Sequence, residues 1–98
     1  MNNYLLPVGF SNAVKVNRIL AVVNPGSSPI RKLRDEARQE KKIIDVTEGR
    51  RTRSILILDS GHLVLSSVQP ETIAQRLAIL AREERNPTLR LDKLENEK

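Results

Sequence analysis

Residues 54–65 read SILILDSGHLVL, and this stretch decides the fold. Two apolar runs flank the turn Asp59-Ser60-Gly61-His62, and Gly61 suits the left-handed backbone that such a turn needs. The pattern therefore predicts a β-hairpin. Because its first strand is apolar at successive positions, both faces of that strand need cover from other parts of the protein.

Shorter apolar runs precede the hairpin at residues 4–10, 13–16, 19–23 and 43–46. They predict one strand over residues 4–10, one over residues 13–24, which contains the second and third runs, and one over residues 43–46. Pro7 has no backbone N–H, so the first of these strands is expected at an edge or in an irregular position. Arg18 separates the second and third runs. The third run is apolar at five successive residues and is also expected to be covered on both faces.

Two helices are expected around these strands. The first begins at Ser28, which can accept a hydrogen bond from a free amide, and Pro29 suits the first helical position. The second begins at Pro70 and ends before Asn86, which precedes a proline. The element order predicts a small α+β domain with an antiparallel or mixed sheet and two helices.

The chain has 98 residues, enough for one domain. Residues 1–86 are expected to form it, and residues 87–98 a partly disordered C-terminal tail. Two helices are too few to cover both faces of several apolar strands, so another subunit is expected to cover part of them. A single compact core of twisted strands is the alternative.

Several functional classes are excluded by composition. Without Cys, a disulfide scaffold, a zinc finger and a cysteine nucleophile are impossible. The sequence contains no run of about 18 apolar residues, the length that a membrane span needs. Its N-terminus lacks the basic segment that begins a secretion signal, so a cytoplasmic protein is expected. His62 is the one histidine, and no catalytic set, metal site or cofactor-binding motif is found. The sequence predicts a protein that is not an enzyme and has no cofactor.

The positive charge is concentrated in the first part of the chain. Residues 1–60 carry 11 basic and 6 acidic side chains, a net +5, whereas residues 61–98 carry 6 of each, a net of zero. Such an excess favours a polyanion, and nucleic acid is the commonest one in a cytoplasm. The alternative is a basic surface that only maintains solubility.

The densest positive segment is Gly49-Arg50-Arg51-Thr52-Arg53, directly before the hairpin. In an extended conformation Arg51 and Arg53 share a face, and a turn at Gly49 would let Arg50 join them. The planar guanidinium fork fits phosphate oxygens and the guanine edge. The alternative is a loop that forms salt bridges with Glu48 or with a neighbouring subunit.

Other basic residues are weaker candidates. Arg18 stands between apolar runs and must reach solvent, a ligand phosphate or a carboxylate, with Asp45 and Asp59 as the two alternatives. Arg31 and Lys32 belong to the first helix, where a solvated face is the alternative to nucleic-acid contact.

Aromatic residues are scarce. Tyr4 and Phe10 are the only two, both near the N-terminus, whereas modules that read single-stranded RNA stack bases on aromatic side chains. Contacts between arginine and phosphate need no such platform, so double-stranded DNA is favoured.

Several of these segments resemble the RemA family, small bacterial regulators of extracellular-matrix (biofilm) genes. The likeness extends over about residues 4–78 and is carried by Asn17-Arg18-Ile19, Pro29-Ile30-Arg31, Gly49-Arg50-Arg51-Thr52-Arg53, Leu58-Asp59-Ser60 and residues 68–77, VQPETIAQRL. The arginine stretch and QPETIAQRL are specific in combination.

The resemblance implies a DNA-binding transcriptional activator with a LytTR-like fold. It also implies ring-shaped homo-oligomers of about seven or eight subunits, around which DNA can wrap. The family's DNA contacts transfer to Arg18, Arg50 and Arg51, with Arg18 expected near the other two, while Arg53, Arg31 and Lys32 are added on charge density alone. The alternatives are an oligomeric scaffold for an acidic protein and an RNA-binding protein.

Overall fold

A computed structural model describes residues 4–85, which form six strands, two α-helices and one short 3₁₀ helix, Val16–Arg18. In chain order the strands and α-helices are β1 (Leu5–Gly9), β2 (Asn12–Lys15), β3 (Ile19–Val23), α1 (Ser28–Gln39), β4 (Ile43–Asp45), β5 (Ser54–Leu58), β6 (Leu63–Ser66) and α2 (Pro70–Arg85). The expected tail, residues 87–98, lies outside the described residues.

The main sheet has four strands in the order β3-β5-β6-β4, and β1 and β2 form a separate antiparallel hairpin. β5 runs antiparallel to both β3 and β6, so the hairpin predicted over residues 54–65 is confirmed. β4 runs parallel to β6, which makes the sheet mixed. The expected α+β class with two helices is therefore confirmed.

Both faces of the central strands are covered within one chain. On one face α1 packs through Ala37 against Ile55 of β5 and Leu63 of β6. On the other face Leu56 belongs to a core that includes Leu6 of β1 and also Val8, Val64 and Ile73. Neighbouring residues of β5 serve opposite cores because side chains alternate along a strand.

This arrangement corrects the argument that uncovered strands require another subunit. The β1–β2 hairpin acts with α2 as a further covering element, so β5 and β6 lie buried without any neighbour. The expectation that β3 is covered on both faces is wrong at Leu20, a residue that is 70% exposed. The register with β5 shifts between Ile19 and Ala21, which places Leu20 in a β-bulge on an edge strand.

Two hydrogen bonds attach the β1–β2 hairpin to the rest of the domain. The buried hydroxyl Oγ of Ser66 donates to the backbone oxygen of Val8 at 2.8 Å. The Arg76 guanidinium on α2 donates to the backbone oxygen of Pro7, also at 2.8 Å. These contacts fix the position of the hairpin tip relative to the end of β6.

The first helix starts as the sequence predicts, with a shift of one residue in its cap. Ser27, not Ser28, is the N-cap, and its hydroxyl accepts from the amide of Ile30 at 3.4 Å. At the other end the amides of Lys41 and Lys42 donate to the carbonyls of the last turn, with Lys41 at a positive φ of 60°. This is the Schellman arrangement, with lysine where glycine is usual.

Candidate nucleic-acid interface

One end of the main sheet collects the loops that carry most of the candidate residues. β3, β4 and β6 end there and β5 begins there, because β5 runs opposite to the other three. The segments that follow β3, precede β5 and follow β6 therefore meet at this end.

A tight turn precedes the arginines. The Asp45 carboxylate accepts from the Thr47 amide at 2.9 Å and from the Thr47 hydroxyl at 2.7 Å. The two hydrogen bonds, of which the one from the Thr47 amide has the larger effect, hold the pKa of Asp45 below its ordinary value. The amide of Arg50 then donates to the Thr47 carbonyl at 3.0 Å, across Glu48 and Gly49, which both have positive φ. The turn reverses the chain and directs it towards β5.

Residues 51–53 are irregular rather than extended into β5. The amide of Arg53 donates to the Ser66 carbonyl at 2.8 Å, which anchors the segment to the end of β6. The expected alternation of a strand therefore does not apply. Instead all three arginines line one open groove of about 610 Å³, here called the arginine groove, together with Phe10 and Ser67.

No described carboxylate neutralises the charges of the arginine groove. Among residues 4–83 no carboxylate lies within salt-bridge distance of Arg50, Arg51 or Arg53, so the predicted alternative of a pair with Glu48 is wrong for the described chain. All three residues are exposed. Within the part of the chain that the structure describes, all three guanidinium groups are thus open to an anion.

Arg31 lies beside this surface, and Lys32 does not join it. Arg51 and Arg53 also line a smaller groove of about 120 Å³ with Asn24 and Pro25. The Arg31 guanidinium donates to the carbonyl of Gly26, the next residue in that loop, at 3.1 Å. Lys32 is exposed on α1 and lines neither groove.

Arg18 lies at the opposite end of the sheet, which corrects the expectation that it lies near Arg50 and Arg51. Its Nε donates to Oδ1 of Asp59 at 2.8 Å, and the Asp59 amide donates to the Arg18 carbonyl at 2.9 Å. The alternative of a pair with Asp59 is therefore confirmed. Asp59 lies six positions after Arg53 along β5, so at about 3.3 Å per residue the two ends are about 20 Å apart.

Phe10, like Ser67, lines the arginine groove and was not predicted from the sequence. It lies 40 positions before Arg50 in the chain, and its place near the N-terminus gave no sign of this proximity. The guanidinium carbon of Arg50 lies 5.8 Å from the centre of the Phe10 ring. The docking of the β1–β2 hairpin brings the two together, and no local pattern encodes that docking.

Other kinds of site find little support in the described chain. Residues 4–83 contain no group of three or more His, Asp or Glu side chains that could hold a metal ion. Neither α1 nor α2 combines the length and apolarity needed to cross a membrane. A hydrogen bond of 2.8 Å joins Nδ1 of His62 to the Ser60 hydroxyl in the exposed turn.

Comparison with known proteins identifies the family. A family model described as RemA-like, extracellular matrix regulatory protein A-like, matches residues 5–77. The chain belongs to the RemA-like family. The matched region contains every residue that lines the arginine groove, so the resemblance seen in the sequence is confirmed for this part of the chain.

Three relatives extend this finding to curated proteins. The chain is 66% identical over 73 residues to a protein of Desulfotalea psychrophila, 59% identical over 73 residues to one of Thermodesulfovibrio yellowstonii, and 56% identical over 72 residues to one of Pseudothermotoga lettingae. Each match covers 74% of this chain and, in that order, 65%, 86% and 79% of the relative. The chain thus spans just under two thirds of the Desulfotalea protein. All three relatives bear names that propose a regulatory role, and the RemA-like family description is likewise regulatory rather than enzymatic.

Proposed function

We propose that this RemA-like chain is a transcriptional regulator that binds double-stranded DNA through the arginine groove. The observation that carries the proposal is the concentration in one open groove of three arginines that pair with no carboxylate of residues 4–83. Guanidinium groups bind phosphate oxygens through bidentate hydrogen bonds. Neutralisation of the phosphates also releases their counterions, and this release favours binding. Arg50 and Arg51 are the main contacts in this proposal, with Arg53 beside them.

Arg18, Arg31 and Lys32 have smaller proposed roles. Arg18 is neutralised locally by Asp59 and lies at the far end of the sheet. Arg31 faces the loop beside the groove, and Lys32 contributes charge on α1. We expect alanine at any of these three positions to weaken duplex binding less than alanine at Arg51.

We also propose that the protein assembles head to tail into rings of about seven or eight subunits with a LytTR-like fold. Two different exposed apolar side chains support this, because they lie on opposite edges of the main sheet. Leu20 on β3 is 70% exposed, and Ile44 on β4 is 42% exposed and lines an open pocket of about 460 Å³. Contact between unlike edges repeats around an axis and can close into a ring, whereas contact between like edges stops at a dimer.

A ring would multiply a modest site. Each subunit carries a net charge of +5, and a duplex that follows the ring meets one arginine groove per subunit. Contacts that are weak singly become avid when linked. The selectivity of such a site would come from DNA shape and flexibility more than from base-specific contacts.

The proposed biological role is activation of extracellular-matrix (biofilm) genes in the cytoplasm, where bacterial DNA lies. The description of the family as extracellular matrix regulatory protein A-like supports this role. The regulatory names of the relatives are consistent with it.

Duplex binding measured by fluorescence anisotropy across a salt series tests the DNA proposal. Wild type is expected to lose affinity steeply, with a log–log slope of about −0.9 for each phosphate engaged. Arg51→Ala should bind about tenfold or more weakly, because a hydrogen bond between charged groups contributes about 1.5–3 kcal/mol. Arg38→Ala is the matched control, since Arg38 is an exposed arginine on α1 that pairs with Asp35 at 3.6 Å.

The same experiment separates the alternatives. A flat salt response, or equal losses for Arg51→Ala and Arg38→Ala, would contradict binding of phosphates by the arginine groove. Stronger binding of an A-form RNA duplex or a single strand in direct competition would favour an RNA-binding protein. Retention of DNA by Arg51→Ala together with loss of an acidic protein partner would favour a scaffold.

Light scattering tests the ring. Wild type is expected at about seven or eight times the 11.1 kDa mass of one chain, and Leu20→Asp is expected to dissociate because the charge would be buried at the contact. Observation of a wild-type monomer, or of a Leu20→Asp variant with unchanged mass, would contradict the head-to-tail assembly.

A further inference from the structure

The tip of the β1–β2 hairpin has an unusual backbone. Phe10 and Ser11 occupy its two central positions with φ of 52° and 65°, a conformation that favours Asn and Gly. A bulky residue there is strained, and strained backbone is concentrated at functional sites. The strain at Phe10 therefore points to a functional role of its ring.

The Phe10 ring does not stabilise the core. Neither of the two core clusters includes it, and 47% of the residue is exposed. Burial of the ring therefore does not account for an aromatic residue at this position. Its distinctive contact is with Arg50, whose guanidinium carbon lies 5.8 Å from the ring centre, within the range of a cation–π interaction.

The turn that carries the Phe10 ring is held by hydrogen bonds and packing. The Asn12 side-chain amide donates to the carbonyls of Gly9 and Phe10, both at 3.1 Å, and holds the turn. The turn also lies against the loop after β6, because Gly9 is so close to Val68 that an added Cβ would be 3.4 Å from Cγ2 of Val68. The backbone that carries the ring is thus held in place relative to the arginine groove from the hairpin side.

We propose that Phe10 is a positioning residue that holds the Arg50 guanidinium over its ring, ready for a DNA phosphate. This inference rests on the proposed function of the arginine groove. An exposed arginine loses side-chain freedom when it binds, and a contact that restricts it beforehand lowers that loss. Phe10 therefore raises affinity through Arg50, without adding a phosphate contact of its own.

Binding of a short duplex of about 12 base pairs tests the proposal, because few grooves can engage it at once. Phe10→Ala and Phe10→Leu are expected to bind about two- to fivefold more weakly, as loss of an exposed cation–π contact predicts. Phe10→Tyr and Phe10→Trp should restore binding, and the salt slope should stay at the wild-type value in all four variants. Leu5→Ala, which truncates another exposed apolar residue of the same hairpin, should bind like wild type.

A double-variant cycle identifies the route of the effect. In an Arg50→Ala background, Phe10→Ala should cause no further loss, because the residue acts through Arg50. Side-chain NMR of the free protein supplies a readout without DNA: the Arg50 CδH₂ signals should shift when Phe10→Leu removes the ring, while circular dichroism confirms that the variant is folded.

The outcomes are distinct. Full binding by Phe10→Leu, unshifted Arg50 signals, or an undiminished Phe10→Ala loss in the Arg50→Ala background would each overturn the positioning role. In those cases duplex binding that still depends on Arg51 would leave the proposed function standing. Failure of wild type to bind duplex would overturn both, and this result needs no variant to recognise it.

Discussion

Replacement of Gly49 tests how the turn before the arginines is built. Gly49 has φ of 79° and follows Glu48, which also has positive φ. A Cβ added at Gly49 would meet no atom within 4 Å. Gly49→Ala therefore changes backbone preference and creates no clash, so its effect can be calculated from conformational energies alone.

The expected loss of stability is about 1 kcal/mol. An L-residue in the left-handed conformation costs about 1–2 kcal/mol, and the restricted unfolded chain of alanine offsets about 0.4–1 kcal/mol. For a domain of this size that corresponds to a fall in Tm of about 4–8 °C. D-alanine at the same position has the opposite preference, so it should match or exceed wild-type stability.

Thermal unfolding at one fixed protein concentration compares the two proteins, since self-association would make Tm depend on concentration. The D-alanine protein can be made by chemical ligation. It should also keep duplex affinity, whereas Gly49→Ala should lose some, because the Arg50 amide closes this turn on Thr47. Equal melting temperatures for the L- and D-alanine proteins would refute the reasoning.

Three further changes have expected outcomes. Lys41→Gly should raise stability by about 0.5–1 kcal/mol in thermal unfolding, because glycine removes the left-handed strain at the end of α1; a lower Tm would contradict this. Ser66→Ala should cost about 1–3 kcal/mol in denaturant unfolding, since it leaves the buried carbonyl of Val8 without its donor; Ser67→Ala is the control, and equal losses for the two variants would count against the prediction. The pKa of Asp45 is lowered by its bonds to Thr47, so its contribution to stability is present above the ordinary carboxyl pKa and is lost as the pH falls through the folded value. Asp45→Asn should therefore reduce the fall in stability between about pH 5 and pH 2, and an unchanged acid profile would contradict the role of this turn.

The elements themselves could be predicted because their signals are local. The turn at residues 59–62, the prolines at the helix starts and the apolar runs each act over a few positions. The covering of the central strands could not be predicted in the same way. It depends on a hairpin that docks through Ser66 and Val8, which are 58 positions apart.

The candidate site shows the same division. The arginine cluster was visible because its members are adjacent in the chain, but Phe10 was not, since its contact with Arg50 follows from hairpin docking. The partner of Arg18 could not be chosen from two acidic residues by sequence. The parallel pairing of β4 with β6 decides it, because this pairing places Asp45 at the groove end of the sheet and leaves Asp59 beside Arg18.

The long reach of the hairpin contacts also governs the order of events during translation. The hydrogen bond to Val8 cannot form until Ser66 has been synthesised, 58 positions later. The hydrogen bond to Pro7 likewise needs Arg76, which is 69 positions later. At about 5–20 residues per second, the ribosome takes about 3–12 s to add 58 residues. Until those residues are made, β6 and α2 cannot cover the apolar side chains of β1, and the turn that carries Phe10 has nothing to dock against. A chain halted before residue 66 would therefore have its arginine loop without the aromatic neighbour that docking brings to it.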